Sequence, residues 1–325
     1  MDECDQGPGE GDRTEGDTVS VVIDAPRAGL RLDQLLVGLL PESSRSRIAA
    51  AIRAGDIRVD GERRKAGYRV KQGEAVQGSL VSPPPLAVKP EPLEFPVLYE
   101  DEVLVVLSKP PGLVVHPGSG NFTGTLVNGL VYYCNAIAGV GDAIRPGLVH
   151  RLDKDTSGVM VVAKDQMVHR LLVAAFADRQ VKKEYLALLH GVPVGSQGRI
   201  VAPIGRHPGN RQKMAVQEWS GRYAVSNWRV VRQYGDRFCQ VRVGIETGRT
   251  HQIRVHMAHL GHPVAGDTLY GAGRNNRAFP RQMLHAWRLG FAHPLTGEAL
   301  HFQAPLWDDM ARVCARLAEE EEPQS

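Results

Sequence analysis

The sequence predicts an α+β fold in two parts: a mixed, largely antiparallel β-sheet domain preceded by a small α+β domain. Three observations lead there. Beyond residue 97, apolar runs of strand length recur and outnumber helical patterns, without regular alternation of strand and helix. Before residue 81, two helical patterns are followed by short alternating runs. Between them lies SPPPLAVKPEPLEFP, residues 82–96, too rich in proline for a helix or an inner strand. A chain of 325 residues also has enough material for two cores.

The elements follow in order. Residues 1–18 offer little to bury and are expected to form a disordered acidic tail. In the small domain, residues 19–81, Leu32, Leu35, Leu36, Leu39 and Leu40 recur at helical spacing, and Pro41 ends the helix. Ser43 or Ser44 caps a second helix, with Ile48, Ala49 and Ile52 inward and Arg45, Arg47 and Arg53 pointing elsewhere. IRVDG and YRVKQGEAV then read as short antiparallel strands around the turn pairs Asp60-Gly61 and Gln72-Gly73. Residues 82–96 read as a semi-rigid linker. In the large domain, residues 97–317, EVLVVLSKP, GLVVHP, GVMVVAKD, EYLALLHG and FCQVRVGIE read as strands. Helices are expected around residues 125–135, 166–178 and 250–260, and residues 318–325 as a second acidic tail.

The formal net charge of +3 hides an asymmetry. Residues 1–18 carry seven acidic side chains against one Arg, and residues 318–325 carry four Glu and no base. The body of the chain is therefore strongly basic, which suits a polyanion because Lys and Arg displace counterions from phosphates. Eleven basic residues lie between Arg27 and Lys71 alone. Cys4, Cys134, Cys239 and Cys314 form no CxxC pair and read as reduced thiols. The acidic, Gly-rich start is the opposite of a signal peptide, and no run approaches the ~18 apolar residues of a membrane span. A cytoplasmic protein with no membrane contact is expected.

The most informative run is GLVHRLDKDTSGVMVVAKD, residues 147–165. An apolar strand breaks into HRLDKDTSG and resumes after Gly158, which places Asp153 in a polar loop between buried strands. Arg151 and Lys154 flank it, and nearby cations favour an ionised, nucleophilic carboxylate. Taken alone, an Asp in a turn as readily caps a backbone amide.

The motif as a whole resembles the signature of the RluA-type pseudouridine synthases, and most closely the RluD subgroup. SKPPGLVVHPG at 108–118 resembles that family's Lys-Pro motif, and KKEYLAL at 182–188 its tyrosine-bearing strand. TGRTHQIRVHMAHLGHPVAGDTLYG at 247–271 is similar to its third catalytic motif. RLDQLL, SRSRI and GDIRVDG resemble the RNA-binding domain named after ribosomal protein S-four. Together the likeness spans nearly all of residues 27–310. It implies the pseudouridine synthase fold, isomerisation of uridine in large-subunit ribosomal RNA or a pre-ribosomal particle, no cofactor, and a monomer.

By residue, the resemblance implies that Asp153 is the catalytic nucleophile, Tyr185 the ring that stacks on the target uracil, and Arg254 the partner that salt-bridges Asp153. Arg151, Lys109, Arg249 and His251 are expected to contact RNA around the site, and Arg45, Arg47 and Arg53 to hold it at the small domain. The reaction breaks the bond from the anomeric carbon to the base nitrogen, rotates the uracil and rejoins it through carbon 5, with no redox change. A carboxylate can attack the anomeric carbon, attack carbon 6, or assist elimination to a glycal, and the sequence leaves all three open. Tyr185 could also take part in the final proton removal.

His251, His256, His259 and His262 invite a zinc reading, but their spacing fits no standard motif and no cysteine lies nearby, so no metal is expected. The glycines of HPGSGNFTG lack the Gly-Lys-Ser/Thr of a phosphate loop. Two other functions share parts of the pattern. A non-catalytic RNA-binding ribosome-assembly factor would gain nothing from an acidic residue in a groove that receives phosphates. A glycosidase-like hydrolase would need a second carboxylate, and Asp155 is the nearest in sequence.

Overall fold

The computed structural model describes residues 18–40, 43, 45–80, 88–118, 123–210, 212–271 and 278–320. The chain divides into two compact units, Met1–Leu86 and Ala87–Ser325, each with its own core.

Apolar spacing dictates the first unit. It contains β1 (Thr18–Val22), α1 (Leu32–Leu39), α2 (Arg45–Ala54), β2 (Ile57–Val59) and β3 (Ala75–Ser79), the strands pairing antiparallel in the order β1-β3-β2. Leu32, Leu35 and Leu36 of α1 and Ile48 and Ile52 of α2 are buried with Ile57, Val59 and Val76. Each such side chain contributes roughly 2 kcal/mol on burial. Asp60 and Gly61 both adopt left-handed backbone (φ 50° and 76°), the conformation a tight hairpin turn requires. The strand expected at Tyr68 starts only at Ala75, and its partner β1 begins at Thr18, a residue assigned to the acidic tail. Pro41, Ser44 and the side chains of Arg45 and Arg47 lie outside the described residues.

The second unit contains, in chain order, β4 (Val97–Glu100), β5 (Leu104–Lys109), α3 (Leu126–Tyr133), the two-residue strands β6 (Gly141–Asp142) and β7 (Arg145–Pro146), and β8 (Ser157–Ala163). Then come α4 (Gln166–Ala177), β9 (Lys182–His190), β10 (Gln197–Val201), β11 (Ile204–Arg206), β12 (Met214–Val216), β13 (Val225–Tyr234) and β14 (Phe238–Ile245). It ends with α5 (Gln252–His259), β15 (Leu284–Ala292), β16 (Ala299–Gln303) and α6 (Asp308–Glu319). One nine-stranded sheet runs β10-β13-β14-β9-β15-β8-β5-β4, with β16 on β15. Every pair in it is antiparallel except β15 with β8. The fold is thus the mixed, largely antiparallel α+β arrangement that the sequence predicts. β5 and β8 are buried on both faces, which is why they read as continuous apolar runs rather than alternating ones.

Three expectations differ from the structure. GLVVHP is not a strand: the carbonyls of Val114 and Val115 accept the first amides of α3, at Leu126 and Val127, and Leu113 O accepts the Lys109 ammonium. Residues 82–87 of the expected linker lie outside the described residues, while 88–96 run against α3, where Asn128 Nδ2 donates to Lys89 O and Gly129 abuts Leu93 and Phe95. Helix α6, whose Met310, Val313 and Leu317 are buried, extends to Glu319 where the second acidic tail was expected to start. Among the described residues, no helix is long and apolar enough to cross a membrane.

The single parallel contact sets the position of the loop before β8. There Ala286 of β15 lies beside Gly158, whose φ is 116° and whose Cβ, if present, would fall 2.1 Å from Ala286 O. Gly158→Ala must therefore displace backbone as well as strain it. We expect a loss of about 2–4 kcal/mol in unfolding free energy, measured by urea titration.

Candidate active site

Asp153 sits in the loop that leads into β8, and the loop is gripped through its carbonyls. Lys109 at the end of β5 is fully buried, and its ammonium donates to the carbonyls of Lys154 (2.9 Å), Leu113 (3.0 Å) and Pro110 (2.7 Å). Arg281 donates to Asp155 O (3.0 Å) and Ser157 Oγ (3.0 Å), and is itself held by Asp309 of α6 at 2.6 and 3.0 Å. Gln282 Nε2 adds a bond to Thr156 Oγ1 at 2.8 Å. Leu152 anchors the loop in the core, and Thr156 N closes a turn onto Asp153 O.

From the other side, α5 brings Arg254. Its Nη1 donates to Asp153 Oδ2 at 2.9 Å, while Nε and Nη2 make a fork onto the buried Asp267 at 2.6 and 3.0 Å. Asp267 Oδ1 also accepts the amides of Leu269 and Tyr270, so the carboxylate that holds Arg254 is itself fixed. The Tyr270 ring lies against the guanidinium, 5.0 Å from centroid to Cζ. His251, the left-handed residue before α5 (φ 57°), pairs Nδ1 with Tyr270 Oη at 2.7 Å and places Nε2 3.8 Å from Asp153 Oδ2. Burial pushes the His251 imidazole below its ordinary value, against the pull of Asp153. Both neighbours of Asp153 thus converge on Oδ2, and Oδ1 has no hydrogen-bond partner among the described residues.

Asp153, Arg254 and His251 line an open cleft together with Tyr185, Arg151, Arg249 and Thr156. Tyr185 comes from the middle of β9, opposite Val243 and Ala286. Burial, and then the Asp153 carboxylate, push its phenol well above the ordinary range, so it rests protonated. Arg151 is exposed at the rim, and Arg249 is half-buried with Nε on Tyr223 O at 3.1 Å. Six of the residues expected at the site, Asp153, Tyr185, Arg254, Arg151, Arg249 and His251, therefore meet in one cleft.

Lys109 is the exception. Its donors are satisfied by three protein carbonyls in the interior, so it cannot offer the RNA contact expected of it; it orders the loop that carries Asp153. In the first unit Arg53 is exposed, with Nε on Ala49 O. His256 is buried between Ser226 Oγ and Ala202 O, and His150 of the HRLD run stacks on Phe176, with burial pushing it down to about 3. Both are structural. No cluster of metal-ligating side chains occurs among the described residues.

Residues 103–259 match the family model described as RNA pseudouridylate synthase, and residues 30–76 match the S4 domain. The chain is 43% identical over 287 residues to the RNA pseudouridine synthase YlyB of Bacillus subtilis, spanning 88% of this chain and 94% of that protein. It is also 43% identical over 311 residues to the ribosomal large subunit pseudouridine synthase D of Xanthomonas campestris, 92% of each. The chain belongs to the RNA pseudouridylate synthase family. A solved structure, Human RNA Pseudouridylate Synthase Domain Containing 4, is similar to it with a TM-score of 0.55 at 28% identity, covering 69% of this chain and 93% of that one. The synthase is accordingly an isomerase with an N-terminal S4 domain, as the motifs imply.

The sequence of this synthase does not by itself single out Asp267, Tyr270, Arg281 or Asp309. The first two lie inside the third motif, whereas nothing in the sequence links Arg281 or Asp309 to the loop at 153–157.

The buried lysine has a measurable signature. Burial, and then the charge of Arg281, lower Lys109 from 10.5 to about 7 in the folded chain. Between those values the unfolded chain binds the extra proton, so stability from this group rises with pH, by up to about 1.4 kcal/mol per unit. Below pH 7 both states are protonated and the term is constant. The unfolding free energy of the wild type should therefore gain on that of Lys109→Met from pH 7 to 9 in urea titrations.

Proposed function

We propose that the synthase isomerises specific uridines in a loop of large-subunit ribosomal RNA, with Asp153 as its nucleophile. The observation that carries the reading is the asymmetry at Asp153: Oδ2 is engaged by Arg254 and faced by His251, while Oδ1 is left without a partner in a cleft shared with Tyr185. A carboxylate with one oxygen held and the other open is oriented for attack or for proton abstraction. The positive charge of Arg254, backed by Asp267, stabilises the carboxylate each time it is released.

In this reading the target base leaves its stack, at a cost of a few kcal/mol, and lies on the Tyr185 ring, which is why a loop is the preferred substrate. The protonated phenol enters as a hydrogen-bond donor. The glycosidic bond breaks with Asp153 adding to the anomeric carbon, adding to carbon 6 or drawing off a sugar proton, and the uracil turns and rejoins through carbon 5. Carbon 5 then loses its proton and the freed nitrogen gains one, so the product is an isomer. Arg151 and Arg249, at the cleft, hold the extruded strand.

Support for the ribosomal substrate comes from the relatives named ribosomal large subunit pseudouridine synthase D, at 41–43% identity over most of the chain. The S4 domain, with Arg45, Arg47 and Arg53 on or beside α2, supplies phosphate contacts that fix register without reading sequence. The protein acts as a monomer on the RNA or on a pre-ribosomal particle in the cytoplasm.

The test is a map of pseudouridine in ribosomal RNA from cells lacking the gene and complemented with either the wild type or Asp153→Asn. Wild type should restore one or more large-subunit sites, and Asp153→Asn none, with turnover in vitro lowered by about 10⁴-fold or more. Restoration by the variant would remove Asp153 from the mechanism, and a change confined to other RNAs would reassign the substrate.

A further inference from the structure

Outside the four motifs, an exposed tryptophan on the connection from β12 to β13 and two arginines whose charges act on Arg249 are used by nothing described above. Trp219 is 98% exposed, in the turn that links β12 to β13. The turn is nonetheless closed by backbone hydrogen bonds. Gly221 N donates to Gln217 O, Arg222 exchanges both backbone hydrogen bonds with Ile204, and a Cβ on Gly221 would fall 2.4 Å from Gln217 O and 2.7 Å from the Pro203 carbonyl carbon. A large indole is thus presented to solvent on a fixed backbone.

Four residues further on, Tyr223 is 46% exposed, with the guanidinium of Arg179 over its ring at 5.5 Å. Arg179 occupies a left-handed position after α4 (φ 62°), where glycine is the favoured residue. The carbonyl of Tyr223 holds Arg249, which lines the cleft beside Asp153. Arg179, Arg222 and Arg249 therefore crowd one edge of the active site. The charges of Arg222 and Arg179 add to burial in pushing Arg249 below its ordinary value. No carboxylate lies within ion-pair distance of the three among the described residues. Glu246, which feels Arg179, is already engaged by Asn227 at 3.0 Å and Arg199 at 3.3 Å.

Crowded cations without a counter-charge call for an anion, and a solvent-facing aromatic three residues before Arg222 calls for a flat apolar partner. Unpaired RNA supplies both in alternation, phosphate and base. We propose that Trp219, Arg179, Arg222 and Tyr223 form a landing for the single-stranded RNA that flanks the target uridine, with Trp219 stacking on a base and the arginines bridging phosphates. The inference rests on the cleft at Asp153 being where uridine reacts, and it adds the path by which the neighbouring nucleotides leave that cleft. It also explains the closed backbone around Trp219, since a preordered platform loses little freedom on binding.

The experiment uses the full chain and two parallel readouts: pseudouridine formation in a large-subunit rRNA transcript, and binding of a fluorescein-labelled oligouridylate over a salt series. Trp219→Ala should raise KM and weaken oligouridylate binding by about 5- to 150-fold, and Trp219→Phe, which keeps a ring, should recover most of the loss. The double variant Arg179→Gln, Arg222→Gln should lower the slope of log affinity against log salt by roughly one. Trp219, Arg179 and Arg222 are all exposed and belong to no core, so the variants will fold. Wild-type turnover of the transcript together with unchanged KM, affinity and salt slope in all variants would overturn the landing. A wild type that forms no pseudouridine while the variants lose oligouridylate would instead overturn the reading of the active site and leave the landing in place.

Discussion

The fork from Asp267 to Arg254 is the interaction on which the site depends. A buried guanidinium needs a carboxylate, and a buried carboxylate needs donors, or each carries a desolvation penalty of several kcal/mol. Here Asp267 takes two bonds from Arg254 and two from backbone amides, so the guanidinium is fixed before Asp153 is considered. Only Nη1 is left to reach across to Asp153. One cation therefore serves two acids in different ways, one as its support and one as its client. A client carboxylate held by a single oxygen leaves its other oxygen open to the cleft.

The remaining freedom of Asp153 is removed through main chain rather than side chain. Consecutive carbonyls at 154 and 155 are taken by Lys109 and Arg281, cations that reach the loop from opposite ends of the unit's sequence. Arg281 answers to Asp309, so the last helix, remote in sequence, bears on the loop. Both cations are buried and both are satisfied by oxygen, which lets a polar, glycine-terminated loop hold one shape between β7 and β8. The parallel contact of β8 with β15 then sets that loop beside Tyr185 on β9, which pairs with β15 on its other edge.

Much of this was legible in the residues. Helical stripes at Leu32–Leu36–Leu39 and around 166–178 gave α1 and α4, and the continuous apolar runs at 104–109 and 157–163 gave the central strands. Asp153, Tyr185 and Arg254 were legible through motifs, and they meet in the cleft. What failed shares a cause: composition records which groups a segment has, not where they are spent. GLVVHP has the composition of a strand, yet its carbonyls cap α3 and bind Lys109. Lys109 has a charge that suits RNA, yet three carbonyls enclose it. The partners Arg281 and Asp309 stand 28 residues apart, and each lies more than 120 residues from the loop at 153–157. α6 was missed for a lesser reason, since Met310, Val313 and Leu317 show the spacing plainly once the acidic end is not read as tail.

In the role proposed for it, Asp153 faces the reacting sugar with its free oxygen while Arg254 holds the other. A crystal structure of the Asp153→Asn protein with a loop RNA bound tests it most directly. The expected result is an extruded uridine on the Tyr185 ring, with its anomeric carbon or carbon 6 within about 3.5 Å of the residue 153 side chain, on the edge away from Arg254. A uridine bound in the cleft with a different carboxylate nearest its reacting atoms, or with residue 153 meeting it through the edge that Arg254 holds, would contradict it.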